Sequence, residues 1–100
     1  MKPYIEIKGA SGAVYRYKLA ENGDPNTTIA GNYLYVDARG NVVFAGEANN
    51  LVDAKGRWSE AYARYGATWL YTRLNVSGAS RADEYSDIVI AIQPIMNQAD

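Results

Sequence analysis

Residues 31–46 constrain the fold of this chain most, because they predict a β-hairpin that carries two tyrosines on one face. In the first strand, Tyr33 and Tyr35 are two residues apart and therefore point the same way. Residues 37–41 have the composition of a turn, and residues 42–45 are apolar enough to return as the second strand. We expect the domain to be organised around this hairpin.

The rest of the chain predicts a second hairpin, two helices and one further strand. The expected boundaries are a hairpin over residues 4–19, an end to the second tyrosine strand at Gly46, a helix from Asn49 or Asn50 to Gly66, a strand over 68–76, and a helix from Ser80 to Pro94 with Asp83 and Glu84 in its first turn. This order (β-hairpin, β-hairpin, α, β, α) predicts an α+β domain with a small mixed or antiparallel sheet. Residues 1–100 are expected to form a single domain.

The composition narrows the chemistry available to the chain. It contains no cysteine and no histidine, which removes thiolate chemistry, the commonest general base and the commonest zinc ligand. Any catalysis therefore has to use Tyr, Glu, Asp, Lys, Arg or a hard metal ion held by carboxylates. Nine tyrosines against one phenylalanine suit either a concave binding face or a sheet with one solvated side.

The charge and hydropathy exclude other classes. The net charge of −1 and a pI near 5.3 argue against tight nucleic-acid binding through global charge, but leave room for a local patch of Arg57, Arg64 and Arg73. No apolar run approaches the length of a membrane span, and the N-terminus lacks the apolar core of a signal peptide. The expected location is cytoplasmic, with no membrane partner.

Two short motifs and a closing motif follow one another at a recognisable spacing. They are Gly31-Asn32-Tyr33, then Phe44-Ala45-Gly46 after the turn, and Pro94-Ile95-Met96-Asn97 near the end. In this order, residues 31–97 resemble the GIY-YIG nuclease domain, and residues 1–20 lie outside the resemblance. The family cleaves phosphodiesters with a divalent metal, so the resemblance implies Mg²⁺ or Mn²⁺ as the cofactor of an active enzyme.

The resemblance also implies a site of motif tyrosines, a helix arginine and a glutamate on the last helix. Tyr33 matches the first motif tyrosine, whereas Phe44 stands at the second motif position, where the ring is kept and the hydroxyl is lost. Ala54 occupies the position of the family's arginine. Arg57 follows one helical turn later, from where its long side chain is expected to reach back.

The position of the family's glutamate is occupied by Tyr85 in the register fixed by Pro94. The adjacent Glu84 is the candidate catalytic carboxylate and metal ligand, although one residue is a rotation of about 100° around a helix axis. Asp87 is the other acidic candidate. Three further residues are candidates for binding a partner: Arg64, Arg73 and Asn97.

Three functions remain open at this point. The favoured hypothesis is a divergent GIY-YIG-like domain with impaired or lost catalysis that serves as a nucleic-acid or protein interaction module. The second is an active, metal-dependent DNA endonuclease with a rearranged site made of Tyr33, Arg57 and Glu84. The third is a subunit of a larger assembly that pairs through the exposed edge of the N-terminal hairpin. The oligomeric state is open as well.

Overall fold

The tyrosine hairpin forms one end of a five-stranded antiparallel sheet, with its first strand inside the sheet and its second strand at the edge. A computed structural model describes residues 1–98 of the chain. The strands are β1 (Tyr4–Lys8), β2 (Val14–Leu19), β3 (Gly31–Asp37), β4 (Val42–Ala48) and β5 (Ala67–Leu74), and the α-helices are α1 (Trp58–Tyr65) and α2 (Gly78–Ile92). Three 3₁₀ helices, Glu21–Gly23, Leu51–Lys55 and Ile95–Asn97, complete the secondary structure of the described residues. The α+β class with two α-helices is confirmed.

The strand order is β1-β2-β5-β3-β4, so β3 lies between β5 and β4. The last strand in sequence thus inserts beside the first strand of the tyrosine hairpin, and every neighbouring pair is antiparallel. The pairing of β2 with β5 is short, because only Lys18 and Leu19 face Thr72 and Tyr71. The N-terminal hairpin can therefore diverge from the sheet beyond those residues.

Both faces of β3 are buried, and they belong to different cores. Successive residues of a strand point to opposite faces, so Tyr33 and Tyr35 enter one core and Leu34 enters the other. The first core is covered by Leu51–Lys55, α1 and the C-terminal Met96. The second core lies beneath α2 and the N-terminal hairpin.

The helix predicted from Asn49 or Asn50 to Gly66 is not continuous. The cap is confirmed, since the Asn50 side chain accepts a hydrogen bond from the Val52 N–H at 3.0 Å. The chain then forms a 3₁₀ helix, and α1 begins at Trp58. The interruption has a physical cause, because the Tyr35 hydroxyl bonds both the Ala54 carbonyl and the Arg57 N–H at this point.

Other predicted boundaries were also wrong. The strand β4 passes through Gly46 to Ala48, because residues 46–48 still pair with β3. The cap of α2 is Ser77, whose side chain accepts a hydrogen bond from the Ser80 N–H at 3.2 Å. The helix therefore starts at Gly78, and Glu84 lies in its second turn rather than its first. The strand predicted over 68–76 starts one residue earlier and ends at Leu74.

The N-terminal hairpin folds over α2 and is fastened there by Asp87. The Ser11 N–H and Oγ donate to the Asp87 carboxylate at 2.7 and 2.6 Å, and the Tyr15 hydroxyl donates to it at 2.8 Å. These bonds hold the pKa of Asp87 below its ordinary value, with the Ser11 hydroxyl as the largest cause. Among residues 1–98, no helix has both the length and the apolar character needed to span a bilayer.

Candidate functional site

Tyr33 belongs to the first core, and its ring packs against Gly46 on the edge strand β4. A side chain on Gly46 would overlap the Tyr33 ring, which explains why glycine stands at this position of β4. The rings of Tyr33, Tyr35 and Phe44 form a cluster with centroids 5.2 to 6.0 Å apart. Phe44 therefore contributes packing to the cluster, and it has no hydroxyl to contribute to chemistry.

Tyr35 fixes the position of Arg57. Its hydroxyl donates to the Ala54 carbonyl at 2.5 Å and accepts from the Arg57 N–H at 3.2 Å. Burial raises the pKa of Tyr35 to about 12, so this hydroxyl stays protonated at neutral pH. The two bonds connect the 3₁₀ helix to the start of α1, and they place Arg57 beside the aromatic cluster.

The Arg57 guanidinium lies over the Phe44 ring, 5.2 Å from its centroid, and forms an ion pair with Glu60 at 2.8 Å. Burial raises the pKa of Tyr33, and the positive charge of Arg57 acts in the opposite direction. Glu47 and Tyr85 add to the rise. Tyr33 is therefore a neutral hydroxyl at physiological pH, suited to donating a hydrogen bond rather than to accepting a proton. The structure brings Tyr33, Phe44 and Arg57 together.

Glu84 is not part of this cluster. It lies on α2, over the opposite face of the sheet, and only 2% of its surface is exposed. The Tyr17 hydroxyl donates to one carboxylate oxygen at 2.5 Å, while Arg73 and the Asn75 amide, the latter at 3.2 Å, donate to the other. All these donors are internal, so Glu84 closes a buried polar network instead of facing Tyr33.

Arg81, one turn before Glu84, is the buried centre of a second polar network that sequence reasoning missed. Its guanidinium is bound by the Glu47 carboxylate at 3.0 Å, the Asn49 side chain at 2.6 Å, and two backbone carbonyls. Asn32 donates from its side chain to the Arg81 carbonyl at 3.1 Å. The signal in the sequence was the spacing of Arg81, Glu84 and Ile88, which share one face of the helix.

The three predicted binding residues have different environments. Arg73 bonds Glu84 and lies over the Tyr15 ring, 5.5 Å from its centroid. Asn97 is bonded on both sides of its amide to the Ala45 backbone, each time at 2.9 Å. Arg64 is exposed on α1. Of the three, Arg64 is the one whose side chain is oriented toward solvent.

Tyr85 lies at the outer edge of β4, where its hydroxyl accepts a bond from the Asn97 amide at 3.3 Å. Burial is the largest cause of the raised pKa of Tyr33, and Tyr85 adds to that rise. The position that the resemblance assigns to a glutamate contacts Asn97, whose amide also bonds the Ala45 backbone of β4. In this chain that position holds a phenol.

The donor set does not fit a divalent metal. Mg²⁺ and Mn²⁺ bind oxygen ligands and usually need at least one free carboxylate. Glu84 uses both oxygens internally, and the carboxylates that flank the Tyr33–Arg57 surface, Glu47 and Glu60, are each paired with an arginine. Within residues 1–98, no three acidic side chains are grouped so that they could hold a metal ion.

No protein family, curated protein or solved structure matches this chain. Its function therefore has to be argued from the arrangement of its own residues.

Proposed function

We propose that residues 31–97 form a divergent GIY-YIG-like domain that no longer cleaves and that binds nucleic acid through the surface around Tyr33 and Arg57. The order of elements supports the likeness, since a tyrosine hairpin, a helix, an inserted strand and a second helix follow one another. Steric crowding also explains why glycine stands at both motif positions. A side chain at Gly31 would overlap the Arg73 backbone, and one at Gly46 would overlap Tyr33.

The observation that carries the loss of cleavage is the position of Glu84. The site that the resemblance implies has a metal-binding carboxylate beside its tyrosine and arginine. Here the carboxylate of Glu84 is held by Tyr17, Arg73 and Asn75 on the other side of the sheet, and Tyr85 stands at the position that the resemblance assigns to a glutamate. A tyrosine hydroxyl that stays protonated gives the site no ready base.

What remains at this surface suits binding. Arg57 and Arg64 are seven residues apart, which places them on one side of the helical segment. Arginine side chains bind phosphate. Glu60 offsets part of this charge through its pair with Arg57, so we expect weak binding that falls steeply with salt.

The absence of cleavage can be tested with supercoiled plasmid and purified protein in Mg²⁺ or Mn²⁺. We expect no nicking with either ion, and no Mn²⁺-dependent broadening of amide signals at Tyr33 or Glu84. A nicking activity that disappears in Tyr33→Phe but persists in the exposed control Tyr62→Phe would overturn the proposal. It would establish the second hypothesis, an active endonuclease.

Binding can be measured by fluorescence anisotropy with a labelled single-stranded and a labelled duplex oligonucleotide at about 50 mM salt. Arg57→Ala and Arg64→Ala should each weaken binding, and each should reduce the slope of log affinity against log salt by about 0.7 to 0.9 for every phosphate that the variant no longer binds. Lys18→Ala removes the same charge from exposed β2 and should change neither quantity. Equal effects of all three variants, or no binding, would exclude a nucleic-acid surface here.

A further inference from the structure

We propose that the free edge of β1, with the groove beside it, binds an extended acidic peptide as an added β-strand. This site is separate from the Tyr33–Arg57 surface and does not depend on the proposed function. It uses residues of the N-terminal hairpin that lie outside the family resemblance.

The backbone of β1 leaves a row of groups without partners in the sheet. The ladder with β2 is closed at one end by the Leu19 N–H and the Pro3 carbonyl at 2.9 Å, and at the other by the Gly9 N–H and the Ala13 carbonyl at 2.8 Å. Bonded residues alternate in an antiparallel pair, so the N–H and C=O groups of Tyr4, Glu6 and Lys8 point away from β2. As β1 is an edge strand, these groups can bond an incoming strand.

The edge of β1 borders an open groove of about 820 Å³, whose far side is the turn between β3 and β4. The floor is apolar and aromatic, and the residues that form it are Ile5, Ile7, Val36, Trp69 and Tyr71. Ile5, Ile7 and Trp69 are only partly buried, so side chains from an added strand would cover surface that is now exposed to water.

The charges of the groove favour an acidic occupant. The groove is lined by three basic side chains, Lys2, Arg16 and Arg39, and by one acidic side chain, Glu6. The chain as a whole has a net charge of −1. The Arg16 guanidinium is 4.0 Å from the centroid of the Tyr4 ring, which places its charge close to the outer face of β1. An excess of positive charge at an exposed strand edge complements an acidic strand.

A second copy of this chain fits the groove less well. Its own β1 carries one acidic and one basic residue, so it adds no net negative charge. Pairing two strands of five residues would also bury much less than the roughly 1,000 Å² that a stable dimer needs. Short peptides that add a strand to a sheet edge bind through such limited contacts, because main-chain bonds supply much of the affinity.

The two faces of β1 define the peptide's pattern. Residues that point toward Ile5, Ile7 and Trp69 should be apolar. The alternate residues share the face of Lys8 and Glu6, and they should be acidic because Arg16 on β2 pairs across the strands with Glu6 and offsets its charge. A suitable probe is a blocked peptide of alternating glutamate and valine, seven residues long, with Gly-Ser at each end. The matched control peptide has lysine in place of each glutamate.

The probe should be titrated into the ¹⁵N-labelled protein. We expect the largest amide shifts at Tyr4, Glu6 and Lys8, and no comparable shifts with the lysine peptide. Glu6→Pro removes an outward N–H that β2 does not use, and should weaken binding about tenfold. Arg39→Glu should weaken it by a similar factor and reduce its salt dependence. Lys55→Glu, an equal charge change outside the groove, should leave it unaltered.

Three results would overturn the proposal. They are saturable shifts located elsewhere, equal binding of the lysine peptide, and a mass that rises with concentration without peptide and falls in Glu6→Pro, which would assign the edge to a second copy. The shift pattern of unliganded Arg39→Glu confirms that this variant folds. DNA binding should be the same in Arg39→Glu and wild type. A failure of the peptide-binding proposal can therefore be distinguished from a failure of the proposed nucleic-acid binding.

Discussion

Glu84 shows that a shift of one position along a helix can change the structural role of a residue. It is adjacent in sequence to the position that the resemblance assigns to a catalytic glutamate, and a rotation of about 100° on the helix turns it toward the other core. There its carboxylate accepts from Tyr17, Arg73 and Asn75. The buried carboxylate is therefore best understood as part of the fold.

Replacing Glu84 by glutamine should destabilise the domain by about 2 kcal/mol, because the donors that bond Glu84 lose a buried, charged acceptor. The cost is limited because Arg73 is one-third exposed and can be partly rehydrated. The free energy of unfolding in urea measures this. Asp83→Asn changes the same charge at the exposed neighbouring position and should cost less than about 0.5 kcal/mol. Equal costs would mean that Glu84 is not an internal structural residue.

Arg57 and Tyr33 are coupled electrostatically. The cation lowers the pKa of Tyr33, so Arg57→Met should raise the pKa of that hydroxyl further. Titration of the ¹³Cε-labelled tyrosine signals up to alkaline pH would follow it, with Tyr33→Phe used for assignment. Arg64→Met, which removes a cation that does not act on Tyr33, is the control. An unchanged Tyr33 titration in Arg57→Met would show that the two side chains are not neighbours in solution.

At the scale of elements, the Asn97 side chain bonds the edge of the sheet in the way that a neighbouring strand would. Ala45 lies on the outer strand β4, where its N–H and C=O would otherwise have no partner, and the Asn97 amide bonds both. The Pro94–Asn97 segment, noted in the sequence as the closing motif of a family, thus has a specific task. It protects one edge of the sheet, while β1 at the other edge remains free.

Asn97→Ala should cost about 1 to 3 kcal/mol, because two backbone groups of Ala45 lose their bonds. Hydrogen exchange should show the Ala45 amide exchanging much faster in the variant, with amides of β1 unaltered. Gln98→Ala, one residue later, removes a side chain that bonds the Gln93 carbonyl instead of β4, and is the matched control. Unchanged protection of Ala45 would contradict the role assigned to Asn97.

The sequence predicted elements better than it predicted their ends. Alternation and turn residues identified the two hairpins, because these signals are local. The break before α1 depends on the hydroxyl of Tyr35, nineteen residues from Ala54, and no local pattern encodes that contact. Asn32 and Arg81, which meet across forty-nine residues, were missed for the same reason.

At the scale of the whole molecule, the order of elements was predictable but their arrangement was not. The insertion of β5 beside β3 rests on strand pairing such as that of Tyr33 with Thr72. The folding of the N-terminal hairpin over α2 rests on the contacts of Asp87 with Ser11 and Tyr15, which are more than seventy residues away in the chain. At the site, the sequence named Arg57 and Phe44 as separate candidates, and the structure brings the Arg57 guanidinium over the Phe44 ring. It had no means of showing that Glu84 pairs with Tyr17, because that contact joins residues 67 positions apart in the chain.

The tyrosines should make the protein sensitive to alkali. Burial raises the pKa of Tyr17, Tyr33 and Tyr35, and the bond to Asp87 raises that of Tyr15, above the ordinary value of 10.0. Groups with a raised pKa in the folded state stabilise it fully below the unfolded pKa, and this contribution is lost as pH rises through the folded value. The free energy of unfolding should therefore be level up to about pH 10 and fall above it.

Urea unfolding at pH 8 to 12 would measure this, and Tyr35→Phe should show a shallower decline, since its pKa of about 12 lies within the window. Tyr62→Phe changes an exposed ring and should reproduce the wild-type slope. Stability that is constant to pH 12 would mean that these hydroxyls are not buried as described.

The division of β3 between two cores has a consequence for how this domain can change over time. Alternate residues of β3 pack in different cores. Substitutions around Tyr33 and Phe44 therefore need not disturb the hydrogen-bond networks of Arg81 and Glu84. A change of a polar group on one side is then tolerable, because contacts on the other side still stabilise the fold. The same separation should let the domain accept Tyr85→Glu and Phe44→Tyr together without unfolding.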